Sequence, residues 1–310
     1  MEQRVKSTGA MGRLARDIRR QYALYLMIIP VLAGFILFKY VPMYGVVMAF
    51  QNYDFVRGFF HSPFVGLKWF TMFFQDPYFF RLIRNTFLIG IYGLLWGFWP
   101  PILLAILLNE VRSRKFKRVV QSVSYLPHFI ATVVIVGMMM EMLSTFGVVN
   151  DTLERIGLGR LAFFADPRYF RSLYIGSDIW QSVGWGSILY LAALTGIDPE
   201  LYDAAAIDGA GRLQRIRHIT LPGLMPTIQI VLIFSVSDIS RVGFEKVYLM
   251  QNPGIYETAD VVATYVYRRG LLEMNFSYGA AIGFIENIVA LVLLLLANFA
   301  SRRLTQRGLW

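Results

Sequence analysis

The 310-residue chain has no cysteine. That excludes disulfides and thiolate metal sites and leaves the compartment open. Charge is scarce too: 16% of residues are Asp, Glu, Lys or Arg, against about 25% in a typical soluble domain. Only three histidines occur, His61, His128 and His218, in three different segments and without HExxH spacing. His128, beside Pro127, reads as a helix-end or interface residue rather than a ligand. No GxxxxGK[ST] phosphate loop is present, so the chain itself is not expected to hydrolyse ATP. What fills the composition is apolar: 56% of residues are hydrophobic. They recur in runs of the roughly 20 residues that cross a ~30 Å hydrocarbon core.

Those runs predict an all-α integral membrane protein with six spans, Tyr22–Val41, Asn85–Leu108, Val123–Leu143, Tyr174–Ile197, Gly223–Gly243 and Ser277–Ala300. Seventeen Lys and Arg fall in the segments of one parity: Arg4, Lys6, Arg13, Arg16, Arg19, Arg20, Arg112, Arg114, Lys115, Lys117, Arg118, Arg212, Arg215, Arg217, Arg302, Arg303 and Arg307. The three longer loops of the other parity hold eleven. The positive-inside rule puts both termini in the cytoplasm (N-in, C-in), and it accounts for the net charge of +10 without nucleic acid. Residues 1–20 lack the apolar core and cleavage site of a signal peptide, so the first span is expected to be retained. The chain divides into residues 1–84 (N-terminus, first span and outer segment), a core over 85–300, and a cytoplasmic tail over 301–310.

Prolines punctuate two spans. Pro30, and Pro100 with Pro101, each remove a backbone donor and predict kinks, tolerable where the helices pack in a bundle. "GLLWGFWPPILLA" adds glycines suited to close helix contact. In "QDPYFF", Asp76 and Pro77 read as N-cap and first helical residue. A short helix lying at the membrane surface, with Tyr78, Phe79, Phe80 and Leu82, is expected to follow.

The segment "DAAAIDGAGRLQRIRHITLPGLMP" (203–226) interrupts the apolar pattern. Asp198, Pro199 and Glu200 give a helix start, and Gly209 and Gly211 can end the helix. A second short helix fits Arg212–Thr220, with Leu213, Ile216 and Ile219 on one face and Pro222 as its stop. The result is an elbow over 198–222, apolar on one side and basic on the other. A re-entry loop held against lipid headgroups is the plain alternative.

Here the sequence resembles a family. Asp203-Ala204-Ala205, Asp208-Gly209-Ala210 and Ile219-Thr220-Leu221-Pro222 are similar to the EAA motif of ABC importer permeases. Asp203 stands where the family has glutamate, keeping the charge and shortening its reach by one methylene. "FVGLKWF", "DPYFFRLIRNTF" and "LNEVRSRKFKRVVQSVSYLPHFIATVV" resemble segments of the carbohydrate-uptake type. "FKYVPMYGVVMAFQNYDF", "TYVYRRGL" and "ANFASRR" resemble the branch serving complex oligosaccharides. The resemblance implies a type I importer transmembrane domain in a bacterial cell membrane, with the elbow as the helix that couples to the ATPase. It further implies a second homologous permease, two cytoplasmic ATPase subunits that carry ATP and Mg, and an extracytoplasmic sugar-binding protein. No cofactor is expected on this chain.

Polar residues within spans suggest where a sugar would pass. Trp180, Gln181 and Trp185 lie on the fourth span, Ser235, Asp238 and Arg241 on the fifth, and Glu286 and Asn287 on the sixth. Aromatic rings stack on sugar C–H faces while amides and carboxylates bind hydroxyls. Arg241 offers a planar fork for a carboxylate, as in a uronate. An intrahelical Asp238–Arg241 pair is the structural alternative, and for the tryptophans it is an interfacial belt. Two rival functions remain at this point. An ion-coupled secondary transporter would need a relay of intramembrane acids. A membrane-embedded glycosyltransferase would need paired acids such as Asp151–Glu154 or Glu257–Asp260.

Overall fold

The structure is a computed structural model, described over residues 20–305. Arg4, Lys6, Arg13, Arg16, Arg19 and Arg307 of the charge pattern lie outside the described residues. Apart from a single antiparallel bridge between Gln51 and Phe64, the described residues are helical or irregular. We number the principal helices α1 (Tyr22–Phe50), α2 (Lys68–Phe74), α3 (Phe79–Glu110), α4 (Arg114–Phe129), α5 (Thr132–Met142) and α6 (Val148–Arg155). There follow α7 (Pro167–Leu194), α8 (Pro199–Ile207), α9 (Arg212–Ser240), α10 (Phe244–Met250), α11 (Val262–Val266) and α12 (Phe276–Thr305).

Four of them, α1, α3, α9 and α12, are long and apolar enough to cross a membrane. The expected third span is not one straight helix. Between Phe129 and Thr132 the chain turns by 97°, because Pro127 sits in a 3-10 turn and Ile130 and Ala131 are extended. The eleven residues of α5 rise only about 16 Å, too little to cross alone. At 28 residues α7 is long enough, but Arg168, Arg171 and Asp178 give it a polar composition.

The prolines are accommodated in three ways. Pro30 lies inside an uninterrupted α-helix, and α1 also continues past Pro42 to Phe50. A π turn over Ile36–Tyr40, closed by the Val41 N–H on the Ile36 carbonyl, immediately precedes Pro42. The wider turn moves the preceding carbonyls away from the proline ring. Pro100 and Pro101 do break the ladder of α3, at Phe98. The aromatic segment 78–82 is the beginning of α3 rather than a separate surface helix, because Leu82, Asn85, Thr86 and Ile89 are buried along one face with no break between them. The N-cap of the helix is Tyr78 rather than Asp76, whose carboxylate accepts the Tyr78 N–H at 2.9 Å and closes the turn just before it.

Along α3 the core is built in three clusters. Leu82 packs with Trp69, Phe73, Tyr265, Tyr278 and Ile282. Ile89 packs with Val136, Phe170, Val247 and Met250. Phe98, Ile102 and Ala105 pack with Tyr190, Leu194, Leu224 and Ile228. Close helix approach comes at Gly90, where an added Cβ would lie 2.0 Å from the Ile239 carbonyl oxygen, and at Gly184, 2.0 Å from that of Ser124. The glycines of "GLLWGFWPPILLA" do not serve this purpose. A Cβ at Gly93 meets nothing within 4 Å, and at Gly97 it reaches only an ordinary contact.

The end of α3 that begins at Phe79 is clamped by a polar network. The fully buried Asp260 receives Arg81 at 2.8 Å and Arg268 at 2.6 Å. Asn85 donates to the Glu257 and Asp260 carbonyls, and the Val262 N–H donates to Thr86 Oγ1. Tyr265 and Tyr278 both donate to the Asp76 carboxylate. Three of the four acids in the candidate pairs are engaged by arginines: Asp151 and Glu154 share Arg160 at 2.9 and 2.8 Å and Asp260 holds Arg81 and Arg268, whereas Glu257 accepts through its backbone carbonyl.

Two stability predictions follow from these contacts. Gly90→Ala forces α3 away from α9 and should destabilise by about 1–3 kcal/mol, as overpacking does, whereas Gly93→Ala should leave the melting temperature of the purified protein unchanged. Asp260→Asn leaves two arginines facing a neutral group and should cost about 3 kcal/mol; Asp151→Asn, at an exposed ion pair, should cost under about 1 kcal/mol. Equal melting temperatures for the two members of either comparison would contradict it.

Candidate functional site: an elbow joined to a polar cleft

The elbow forms largely as its local chemistry dictates. Asp198 accepts the Glu200 N–H at 2.9 Å, with Pro199 in the first turn. Gly209 ends α8 with φ +75°. The Gly209 N–H donates to the Ala206 carbonyl and the Ala210 N–H to that of Ala205, at 3.1 and 2.8 Å, the paired bonds of a Schellman ending. Gly211, at φ −68°, instead caps α9, its N–H donating to Gln214 Oε1 at 2.7 Å. Asp203, Ala204 and Asp208 are exposed, and Ala205, Asp208, Gly209 and Ala210 line one side of a cleft of about 340 Å³. Ile207 and Leu213 are 87% and 78% exposed, so Leu213 does not share a buried face with Ile216 and Ile219.

The second short helix does not stop at Pro222. A π turn over Ile216–Thr220, closed by the Leu221 N–H on the Ile216 carbonyl, carries the chain through Leu221 and Pro222 into a helix ending at Ser240. This repeats the arrangement before Pro42. Buried Thr220 adds a side-chain tie, its hydroxyl 3.0 Å from that of Tyr202 on α8. From Arg212 to Ser235 the helix rises about 35 Å.

At its far end α9 meets α3 and α7 around a cleft of about 280 Å³. Ser235, Asp238 and Arg241 line it, together with Gly90, Gly93 and Gly97 of α3 and Tyr174, Asp178 and Ser182 of α7. Among the described residues no Asp238–Arg241 ion pair forms. The helix tightens to a 3-10 turn at Asp238–Ser240 and ends, with Arg241 at φ −114° and ψ 82°, so the three-residue spacing no longer aligns the side chains. Arg241 Nη2 instead donates to Asn287 Oδ1 of α12 at 2.7 Å, and Asn287 is braced on the Gly283 carbonyl. Glu286, half-buried, precedes Asn287 on α12.

The α7 candidates separate. Gln181 donates to the Ile130 carbonyl at 3.2 Å, and Trp185 stacks on His128 with ring centroids 4.5 Å apart. Both therefore rest on the bend between α4 and α5. Trp180, 48% exposed, lines neither feature. Asp178 and Tyr174 were missed in the sequence, although an acid within a predicted span was signal enough. Lys246 of α10 was missed as well. It is buried 3.4 Å from Asp178 and lies over the Tyr174 ring; burial pushes its ammonium down in pKa and Asp178 pulls it back up. The cleft region thus balances Asp178 and Asp238 against Arg241 and Lys246. That arrangement suits a polyhydroxylated ligand carrying charge. No cluster of metal-ligating side chains occurs among the described residues.

Residues 93–308 match the family described as "Binding-protein-dependent transport system inner membrane component". The chain is 43% identical over 299 residues to the polygalacturonan/rhamnogalacturonan transport system permease protein YteP of Bacillus subtilis, covering 96% of this chain and 93% of that one. Among solved structures, a chain of a bacterial ABC transporter involved in the import of the acidic polysaccharide alginate superposes with a TM-score of 0.86. It is 44% identical, with 94% of this chain and 99% of that chain covered. A chain of the bacterial alginate ABC transporter in complex with alginate pentasaccharide-bound periplasmic protein gives 0.87, again at 44% identity, with 96% and 100% covered. A helical fold, a family match over most of its length and relatives of nearly equal extent agree: the chain belongs to the inner-membrane permease components of binding-protein-dependent ABC importers.

Proposed function

We propose that this permease imports acidic oligosaccharides of the uronate-containing kind, forming half of a pathway with a second, homologous permease. In this reading α7 and the bent α4–α5 pair complete six crossings, with both termini and the elbow on the cytoplasmic side. Two ATPase subunits bind there, with ATP and Mg, and a sugar-loaded binding protein docks on the opposite face. The relatives named for polygalacturonan/rhamnogalacturonan and for alginate support an acidic substrate.

The observation that carries the substrate class is the state of Arg241. Its guanidinium is exposed at the cleft and held by a neutral amide rather than a carboxylate, leaving donors to meet a uronate carboxylate. Ser235, Asn287 and Asp178 are available to sugar hydroxyls. The elbow supplies coupling: Asp203 and Asp208 offer charges to an ATPase groove, Ile207 and Leu213 offer apolar surface, and α9 transmits the movement to Ser235, Asp238 and Arg241.

Arg241→Gln should weaken uptake of oligogalacturonate or oligoalginate about tenfold or more, the worth of a charged hydrogen bond, and leave any uptake of neutral oligosaccharides intact. Calorimetry on the cognate binding protein should give preference for the acidic sugars. Preference for neutral sugars only, or undiminished acidic uptake by the variant, would remove the acidic-substrate reading.

Coupling has its own test. Gly209→Val forces a β-branched residue into positive φ, at about 1–3 kcal/mol. Asp203→Ala removes a docking charge. Both should lower substrate-stimulated ATPase activity of the assembled importer without altering sugar binding by the binding protein; full stimulation in Gly209→Val would exclude the elbow as the coupling element.

A further inference from the structure

On the opposite side of the α3–α7 seam from the polar cleft lies a second cavity, of about 510 Å³. Among the described residues only α3 and α7 line it. Its composition is graded along α7: Arg168, Arg171 and Ser172 at one end, then Ile175, Gly176 and Ile179, with Tyr92 and Trp96 of α3 on the facing wall. Trp96 is 67% exposed. A sugar pathway would need polar groups along its length, and here they stop after the first turns of α7.

The charges at the polar end are unbalanced. Arg168 is paired with Asp166 at 2.6 Å, but Arg171 has no carboxylate partner among the described residues. It shares one neutral acceptor, Asn85 Oδ1, with Arg84, at 3.1 and 3.4 Å. Arg84 spends its other contact on the Glu257 carbonyl. The Arg171 Nε atom is buried without a hydrogen-bond partner. Two guanidiniums on one amide oxygen, with no carboxylate balancing Arg171 among the described residues, call for an anion. On the topology proposed above this end sits at the non-cytoplasmic membrane interface, and Tyr92 and Trp96 lie deeper along α3.

We infer that the α3–α7 groove is a binding site for an anionic phospholipid, its phosphate on Arg171 and Arg168 and an acyl chain along Ile175, Gly176, Ile179 and Trp96. The volume lies within the range of about 300–1,000 Å³ usual for small-ligand sites. Gly176 keeps the groove open, since a Cβ there meets nothing within 4 Å. A bulkier residue would fill the chain's path without disturbing the helix.

The test is native mass spectrometry of the detergent-solubilised complex, titrated with phosphatidylglycerol or phosphatidylcholine. The wild type should favour phosphatidylglycerol, and Arg171→Gln should weaken it about fivefold, the contribution of one basic residue near an anionic lipid. Gly176→Leu should lower occupancy by both lipids, and Arg155→Gln, on another segment, should change neither. Melting temperatures measured without added lipid identify any variant that has lost its fold, and Gly176→Leu keeps the test open should Arg171→Gln do so. Equal affinity for the two lipids in the wild type, or wild-type binding by Gly176→Leu, would overturn the assignment. So would displacement of phosphatidylglycerol by oligogalacturonate, which would give the groove to the substrate. The first two outcomes leave the acidic-sugar reading untouched, and displacement by oligogalacturonate would support it while removing the lipid.

Discussion

The arrangement of the functional elements rests on the continuity of one helix across Pro222. A proline in a helix interior removes a donor and drives its ring into the preceding turn, ordinarily costing about 3 kcal/mol or more. Here the π turn at Ile216–Thr220 resets the ladder one residue earlier, through the Leu221–Ile216 bond. The motif residues Leu221 and Pro222 therefore lie within α9 and join the elbow to the cleft. Were the helix to stop at Pro222, the elbow would hang on a flexible joint. Pro226 lies inside the same helix without ending it.

Rigidity at one helix is useful only if its neighbours are held. The Asp260 network fixes the 257–268 segment to α3, and Gly90 brings the backbone of α9 against that same helix. Any movement of the far end of α9 would therefore be against a braced wall. Arg241 leaves the helix end to reach Asn287 on α12, so a shift of α9 relative to α12 would alter the contact that holds this guanidinium in the cleft. Buried ion pairs are weak evidence of stability in themselves; the one at Asp260 matters because it fixes a geometry.

Much of this was legible in the residues. Hydropathy located the long helices because burial in lipid demands uninterrupted apolar runs, and Asp198, Pro199 and Gly209 marked the first arm of the elbow because caps act within a turn of the chain. Ser235, Asp238 and Arg241 do line one cleft, although not through the helical spacing that grouped them, since the helix ends before Arg241. Three things were not legible. The 97° bend after Phe129 interrupts no hydropathy signal, since the two helices together still pass as one span, so Pro127 was the local hint. Pro222 reads as a stop when only local rules are applied, since the compensating bond spans five residues. The Asp178–Lys246 contact joins residues 68 positions apart, beyond any periodicity.

The absence of cysteine makes the central claim directly measurable, since spin labels can be attached at introduced cysteines without background. Labels at Arg217 and Leu232, both exposed on α9, are separated by about 22 Å of helix rise. In the assembled importer, pulsed electron–electron resonance should give a single, unchanged distance with and without ATP. A pair between Arg217 and a site on α3 should move. A Arg217–Leu232 distance that shortens or splits on ATP binding would mean that the helix hinges at Pro222 or Pro226, and the elbow would no longer be rigidly joined to the cleft.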